Sequence, residues 1–249
     1  ARTQVMAVVK ANAYGHGMRQ VAAKAEQEGV FWFAVATADE AVELRKTCNK
    51  HILLLSAAED EETVNALIEA EISQCVYTMR QLKLLYRLCE AKEKKANIHI
   101  KIDTGMNRIG LRNDAELITL LKFLKKQSRI TLEGMFTHFA TADEADKHFT
   151  GEQLKRFKHA VQIAREYGFN PLCHASNSAA TIEAPEAHFD LCRMGISMYG
   201  YAPSEEVKLN GLNLKPALSL ISHITYVKTI EAGESVSYGR KFTAEQSEQ

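Results

Sequence analysis

Val5-Met6-Ala7-Val8-Val9-Lys10-Ala11-Asn12-Ala13-Tyr14-Gly15-His16-Gly17 decides how the whole chain is read. Its first half is an apolar, β-branched run, the pattern of a strand buried on both faces. A single lysine stands where that run stops. A small-residue segment, a tyrosine and two glycines follow, and the glycines break the strand and permit tight turns. A lysine at the end of a buried strand is poorly hydrated, which favours its neutral amine, the form that condenses with a carbonyl. A lone lysine in such a place more often snorkels to water, so the rest of the chain has to decide between the two.

Working outward, the first run, Met6–Lys10, is followed by seven more: Phe33–Thr37, Ile52–Ser56, Gln74–Thr78, Ile98–Asp103, Leu132–Phe139, Leu172–Ser176 and Leu191–Ser197. Helical patterns lie between most of them, as at Leu82, Leu84, Leu85 and Leu88 after the fourth run. Strands alternating with helices require right-handed crossovers and a parallel sheet. Eight of them predict a closed (β/α)8 TIM barrel over residues 1–215. A doubly wound open sheet is the alternative, and the lack of Gly-x-Gly-x-x-Gly after the first strand weighs against it. Where the last barrel helix belongs, Ala202–Leu218 reads as loop, with Pro203 and Pro216. Residues 216–249 change pattern: Leu218–Thr229 alternates like an antiparallel strand, Glu231–Glu234 reads as a turn, and Val236–Phe242 opens another strand. They read as the start of a β-rich second domain, and both ends of the chain read as truncated.

Composition removes several function classes. Lys+Arg and Asp+Glu both number 31 in 249 residues, so neither nucleic acid nor an anionic membrane is expected as the main partner. No apolar run approaches the length of a membrane span. The cysteines are Cys48, Cys75, Cys89, Cys173 and Cys192. An odd count at irregular spacing predicts reduced, buried thiols in a cytoplasmic protein, not a disulfide frame or a zinc site. No His, Asp or Glu set has metal-ligand spacing, and no Gly-x-Ser-x-Gly marks a serine nucleophile.

In a barrel of this kind chemistry sits at the carboxyl ends of the strands. Lys10 ends the first strand, Asp103–Arg108 the fifth, Thr137 and His138 the sixth, His174–Ser178 the seventh, and Arg193–Ile196 lies on the eighth. Five clusters of Lys, Arg, His, Ser and Asn are thus expected on one rim. A barrel built for stability alone has no use for them, since each costs desolvation. Taken singly, each has a plainer reading. Arg193 can pair with a buried Asp190, and His138 and His174 can be hydrogen-bonded core histidines. Ser176-Asn177-Ser178 reads as a helix N-cap, although a helix start with a free serine hydroxyl is also an anion site. Gly195 lets a phosphate approach the backbone closely. His16, His51 and His99 read as isolated and ordinary.

In order, six motifs resemble those of the alanine racemase family, barrel-type enzymes that use pyridoxal 5'-phosphate. They are Ala7–Gly17, Asp103–Gly110, Thr137–Asp143, Asn177–Ala180, Arg193–Gly200 and Val236–Gly239. The resemblance implies a homodimer with shared active sites that interconverts L- and D-alanine and supplies D-alanine for the cell wall. It implies that Lys10 carries the cofactor and acts as one base, and that Tyr238 of a second subunit is the opposing base. Tyr14, Ser178 and the backbone amides of Gly195 and Ile196 match the phosphate site, and Asn177 matches a further cofactor-binding residue. Arg193 matches the partner of the pyridine nitrogen, and Arg108 the group that contacts the cofactor's phenolic oxygen and the substrate carboxylate. Lys101 matches a lysine that some members carbamylate to steady that arginine. His138 and His174 match the hydrogen-bonding chain behind Tyr238 and Arg193. The family's amino-terminal helix and most of its β domain are expected to lie outside this sequence.

The implied roles are chemically coherent. Racemisation needs a base on each face of a planar carbon. A phenol near pKa 10 is a poor base at neutral pH, and positive charge from Arg193 relayed through His138 is expected to lower it. An arginine holds its proton, so it should leave the pyridine nitrogen unprotonated, weaken the electron sink and suppress transamination. A barrel decarboxylase of basic amino acids would carry a carboxylate there, and a non-catalytic cofactor carrier would have no use for Tyr238.

Overall fold

The computed structural model describes residues 3–249. The chain divides into two compact units, Ala1–Ala217 and Leu218–Gln249.

The first unit contains eight strands: β1 (Gln4–Val8), β2 (Trp32–Val35), β3 (His51–Leu54), β4 (Ser73–Val76), β5 (Ala96–Lys101), β6 (Ile130–Phe136), β7 (Leu172–His174) and β8 (Leu191–Met194). They pair in parallel in the order β7-β6-β5-β4-β3-β2-β1-β8. The ring is closed between β7 and β8, where Asp190 N–H donates to the Cys173 carbonyl and Arg193 N–H to that of Ser176, both at 3.0 Å. The expected (β/α)8 barrel is therefore what the chain forms, and the open-sheet alternative falls away.

Local sequence explains where the outer helices begin. Thr37 and Thr78 close capping boxes with Glu40 and Gln81 at the starts of helices Ala38–Arg45 and Met79–Ala91. Asp60, Asn113 and Asn177 cap helices Glu61–Glu69, Asp114–Leu124 and Ser178–Glu183 by accepting from the third backbone N–H. Leu191–Met194 is followed by a single 3-10 turn, Ile196–Tyr199, and then by irregular chain. The last barrel helix is thus missing from the stretch read as loop. Among the described residues no helix is long and apolar enough to cross a membrane.

Alternation along each strand sorts side chains between the helix layer and the barrel interior. Met6, Val8, Trp32, Ala34, Leu53 and Leu191 form their own apolar cluster inside the β1–β3 side of the ring. On the other side the interior is polar: His99, Lys101, His174 and Arg193 are all buried. Ile98 and Ile100, the alternate residues of β5, pack outward in the largest core cluster.

The strands end two or more residues before most of the sequence-based boundaries. β1 stops at Val8, not Lys10, because the chain turns sharply there. In the second unit Leu218–Thr229 is no strand: Leu220, Ile221 and Ile224 are more than 80% exposed, and no ladder pairs with them among the described residues. An alternating run becomes a strand only when a neighbour supplies hydrogen bonds. The expected strand Val236–Phe242 is also broken. Ser235–Val236 (β9) and Phe242–Thr243 (β10) pair, antiparallel, around a 3-10 turn at Tyr238–Arg240. Positive φ angles at Ser237 (60°) and Gly239 (74°) make that turn.

Candidate active site

A cavity of about 600 Å³ opens at the carboxyl ends of the strands, lined by Lys10, Tyr14, Arg108, His138, Asn177, Ser178, Arg193, Gly195 and Ile196. These nine come from β1, β5, β6, β7 and β8 and the segments that follow them. Tyr238 lies in the second unit, at the start of its 3-10 turn, with its side chain fully exposed.

Lys10 owes its place to an unusual turn. Val9 N–H extends the β1 ladder by donating to Ala34 O at 2.9 Å. Ala11, Asn12, Ala13 and Tyr14 then all take left-handed backbone angles, φ 51–56°. Each such L-residue costs about 1–2 kcal/mol, so the turn needs support from outside itself. Glu40 supplies it, accepting from Ala11 N–H at 2.5 Å and from Ala36 N–H at 2.8 Å. Asn12 Oδ1 accepts from Met18 N–H at 2.9 Å and pins the far side. Lys10 is half-buried at the cavity wall, its Nζ 5.9 Å from the centre of the Tyr14 ring. Gly15 and Gly17 turn the chain as their sequence predicts, at φ 88° and 91°, but four ordinary residues before them carry strain that sequence reasoning missed. Strain of this kind gathers at functional sites.

One end of the cavity is built for an anion. Ser178 Oγ accepts from Gly195 N–H (3.0 Å) and from Ser197 N–H (3.4 Å), which leaves its own O–H to donate. Ile196, which also lines the cavity, has a backbone N–H with no protein acceptor among the described residues. A Cβ at residue 195 would stand 2.9 Å from the Tyr14 hydroxyl, so the absence of a side chain there keeps the cradle open. A group with several acceptor oxygens satisfies these donors together.

The same lining carries a buried cation. The Arg193 guanidinium is buried, and among the described residues it pairs with no carboxylate directly. Asp190, its expected alternative partner, accepts from Cys173 N–H at 2.7 Å instead. Nη1 donates to His174 Nδ1 (3.0 Å) and to the His174 carbonyl (3.1 Å). Nη2 donates to the carbonyls of Thr137 (2.7 Å) and Ala175 (2.9 Å) and to His138 Nδ1 (3.2 Å). Burial and the nearby Arg108 pull the Arg193 pKa down to about 10, which leaves it cationic at neutral pH. Burial and the charge of Arg193 hold His138 well below the usual histidine range. Its neutral ring accepts at Nδ1, so its Nε2 carries the proton.

Lys101 also reaches this cavity. Burial first, and Arg193 second, push its pKa down to about 7. His99 and Lys101 alternate with Ile98 and Ile100, and that interruption of an apolar strand was a legible sign of inward-facing polar groups. The reading of His99 as isolated and ordinary is corrected: it is wholly buried and makes two side-chain hydrogen bonds. Gln153 was invisible in sequence, because its partners lie on other segments. It donates to Thr104 Oγ1 (3.2 Å) and the His138 carbonyl (3.1 Å), tying together the loops that follow β5 and β6.

The family model for "Alanine racemase, N-terminal domain" matches residues 1–203. An alanine racemase of Methanococcus maripaludis is 39% identical over 242 residues, which are 97% of this chain and 65% of that relative. The alanine racemase structure from Clostridium difficile 630 superposes with a TM-score of 0.89 at 37% identity, covering 98% of this chain and 64% of that one. A Bacillus anthracis alanine racemase solved with bound L-Ala-P gives 0.88 at 34% identity, covering 98% and 64%. The chain thus spans slightly less than two thirds of the length of these relatives.

Proposed function

Because this chain belongs to the alanine racemase family, we propose that it forms the cofactor-binding barrel of a pyridoxal-phosphate-dependent racemase that interconverts L- and D-alanine. The observation that carries this reading is the shared cavity. An amine, an anion cradle and a buried cation line one cavity at the end of the barrel where such folds do their chemistry. The residues fit the cofactor. The free Ser178 O–H, the Ile196 amide and the open space at Gly195 suit its phosphate, Lys10 suits its aldehyde, and Arg193 suits its ring nitrogen. When bound, the cofactor withdraws electrons from the substrate's α-carbon and so acidifies the α-proton.

The chain's own groups do the rest. Lys10 Nζ takes or returns the proton on one face. Tyr238 of a partner copy serves the other face, and His138, whose Nδ1 is taken up by Arg193, keeps its Nε2–H to donate to that phenol. Arg108 pairs with the substrate carboxylate, as a planar guanidinium does in two parallel hydrogen bonds. Arg193 keeps its proton because carbonyls and neutral imidazoles fix it from behind, and so it protonates nothing. Lys101, partly neutral near pH 7, is able to add carbon dioxide, forming a carbamate and releasing a proton. Five buried, unpaired thiols fit a reducing cytoplasm.

Incubating the complete protein with cofactor and L-alanine tests the activity directly. D-alanine should accumulate to an equal share, and its absence defeats the proposal. Two variants test the parts. Gly195→Ala should leave the fold intact and weaken cofactor binding about tenfold or more, since its Cβ meets the Tyr14 hydroxyl. Unchanged affinity would place the phosphate elsewhere. Arg193→Glu should raise the ratio of pyruvate formed to alanine racemised, because a carboxylate stabilises a protonated ring nitrogen. A constant ratio removes this account of the arginine.

A further inference from the structure

Behind Arg193 a line of polar groups continues through the barrel interior, away from the cavity. His174 Nδ1 accepts from Arg193 Nη1 at 3.0 Å. His174 Nε2 lies 2.9 Å from His99 Nδ1, and His99 Nε2 lies 3.1 Å from Glu133 Oε2. Ser73 Oγ donates to the same carboxylate oxygen at 2.5 Å. Asn97 donates to Oε1 at 3.1 Å, and His51 Nδ1 stands 3.8 Å from it. Both linking rings are wholly buried. Phe136 stacks on His174 with centroids 4.8 Å apart, and Trp32 meets His99 edge-on at 5.6 Å. The β5–β6 register slips by one residue here, setting Gly134 opposite His99. A Cβ on Gly134 would lie 2.3 Å from His99 Nδ1. The sheet is thus built to admit this ring.

The chain has one consistent set of protons. A guanidinium only donates, a carboxylate only accepts, and a neutral imidazole does one of each. Glu133 therefore takes the proton of His99 Nε2, which leaves His99 Nδ1 to accept from His174 Nε2–H. That in turn leaves His174 Nδ1 to accept from Arg193. Burial disfavours the doubly protonated form of both rings. Burial alone would push the Glu133 carboxyl up, but the hydrogen bonds from His99 and Ser73 outweigh it and hold the carboxyl below its usual range.

We propose that Glu133 is a positioning residue for Arg193, whose carboxylate sets the tautomers of His99 and His174 and so keeps an acceptor facing the guanidinium. This rests on the reading of Arg193 as the group at the cofactor's ring nitrogen. Without an acceptor at residue 133, His99 is free to carry its proton on Nδ1. His174 would then carry its own on Nδ1 as well, and that N–H would confront the N–H of Arg193. Two donors cannot share the contact, and the guanidinium would shift at the cavity wall.

The test reads tautomers by 15N NMR in histidine-labelled complete protein without cofactor. In the wild type both rings should carry the proton on Nε2. Glu133→Ala should mix or invert the tautomer of His174, two hydrogen bonds away. Glu133→Gln should preserve it, since the amide oxygen still accepts. A wild-type His174 with its proton on Nδ1 overturns the proposal, and that measurement needs no variant to fold. A His174 unmoved by Glu133→Ala overturns it too. In the loaded enzyme Glu133→Ala should lower kcat about tenfold or more with KM little changed, and Glu133→Gln should recover most of that loss. Equal losses in both variants defeat the tautomer account. The NMR result is independent of the cofactor, so it stands apart from any failure of the racemase reading.

Discussion

Lys10→Ala should abolish the visible absorption of the lysine-bound cofactor and lower alanine racemisation by at least about 10⁴-fold, since both the covalent anchor and one base are lost together. The fold should survive, because Lys10 is half-buried and lies just before the left-handed turn, not within it. The cavity contains a second amine, and it makes the experiment decisive. Lys101 lines the same wall and has a pKa pushed down to about 7. Its neutral, nucleophilic fraction therefore grows as pH rises through 7 and vanishes below it. If Lys101 were the true anchor, Lys10→Ala would keep its band, and the band would strengthen from pH 6 to pH 8. A band lost at every pH in Lys10→Ala and kept in Lys101→Met assigns the anchor to Lys10. The reverse pattern sinks the mechanism and moves the reactive amine from β1 to β5.

Much of the barrel was legible because its signals are local. The apolar runs, the Thr37 and Thr78 capping boxes and the polar clusters after successive strands are each contained within a few residues. What stayed hidden was set by contacts between distant segments. Glu40 supports the Lys10 turn across 29 residues of chain, and His99 meets His174 across 75. No spacing rule reaches that far. The alternation at Leu218–Thr229 forms no ladder for a related physical reason. Period two marks a segment fit to be a strand, but a ladder needs a neighbour, and none pairs with it among the described residues. Arg193 shows the converse. Its alternative reading, a pair with Asp190, was locally sensible and fails because Asp190 is taken up by the Cys173 amide.

Tyr238→Phe should slow removal of the α-proton from one enantiomer of alanine by about 10²–10⁴-fold, the usual contribution of a positioned acid–base group. Proton removal from the other enantiomer should change far less. Steady-state rates cannot reveal this. The two enantiomers are equal in energy, so the equilibrium constant is one and kcat/KM must fall equally in both directions. The asymmetry has to be read from exchange of the α-hydrogen with solvent, measured separately for L- and D-alanine before inversion. The enantiomer served by Lys10 should keep exchanging, while the one served by the phenol should stop. Small and equal effects on both would remove Tyr238 as a face-specific base. The second unit presents that phenol fully exposed, where it is free to meet another molecule. If the base comes from a partner copy, mixing Lys10→Ala protein with Tyr238→Phe protein should restore activity. In a random mixture of dimers roughly a quarter of the sites would then hold both intact groups. Two inactive variants that stay inactive when mixed would place the second base within a single chain, or on a residue other than Tyr238.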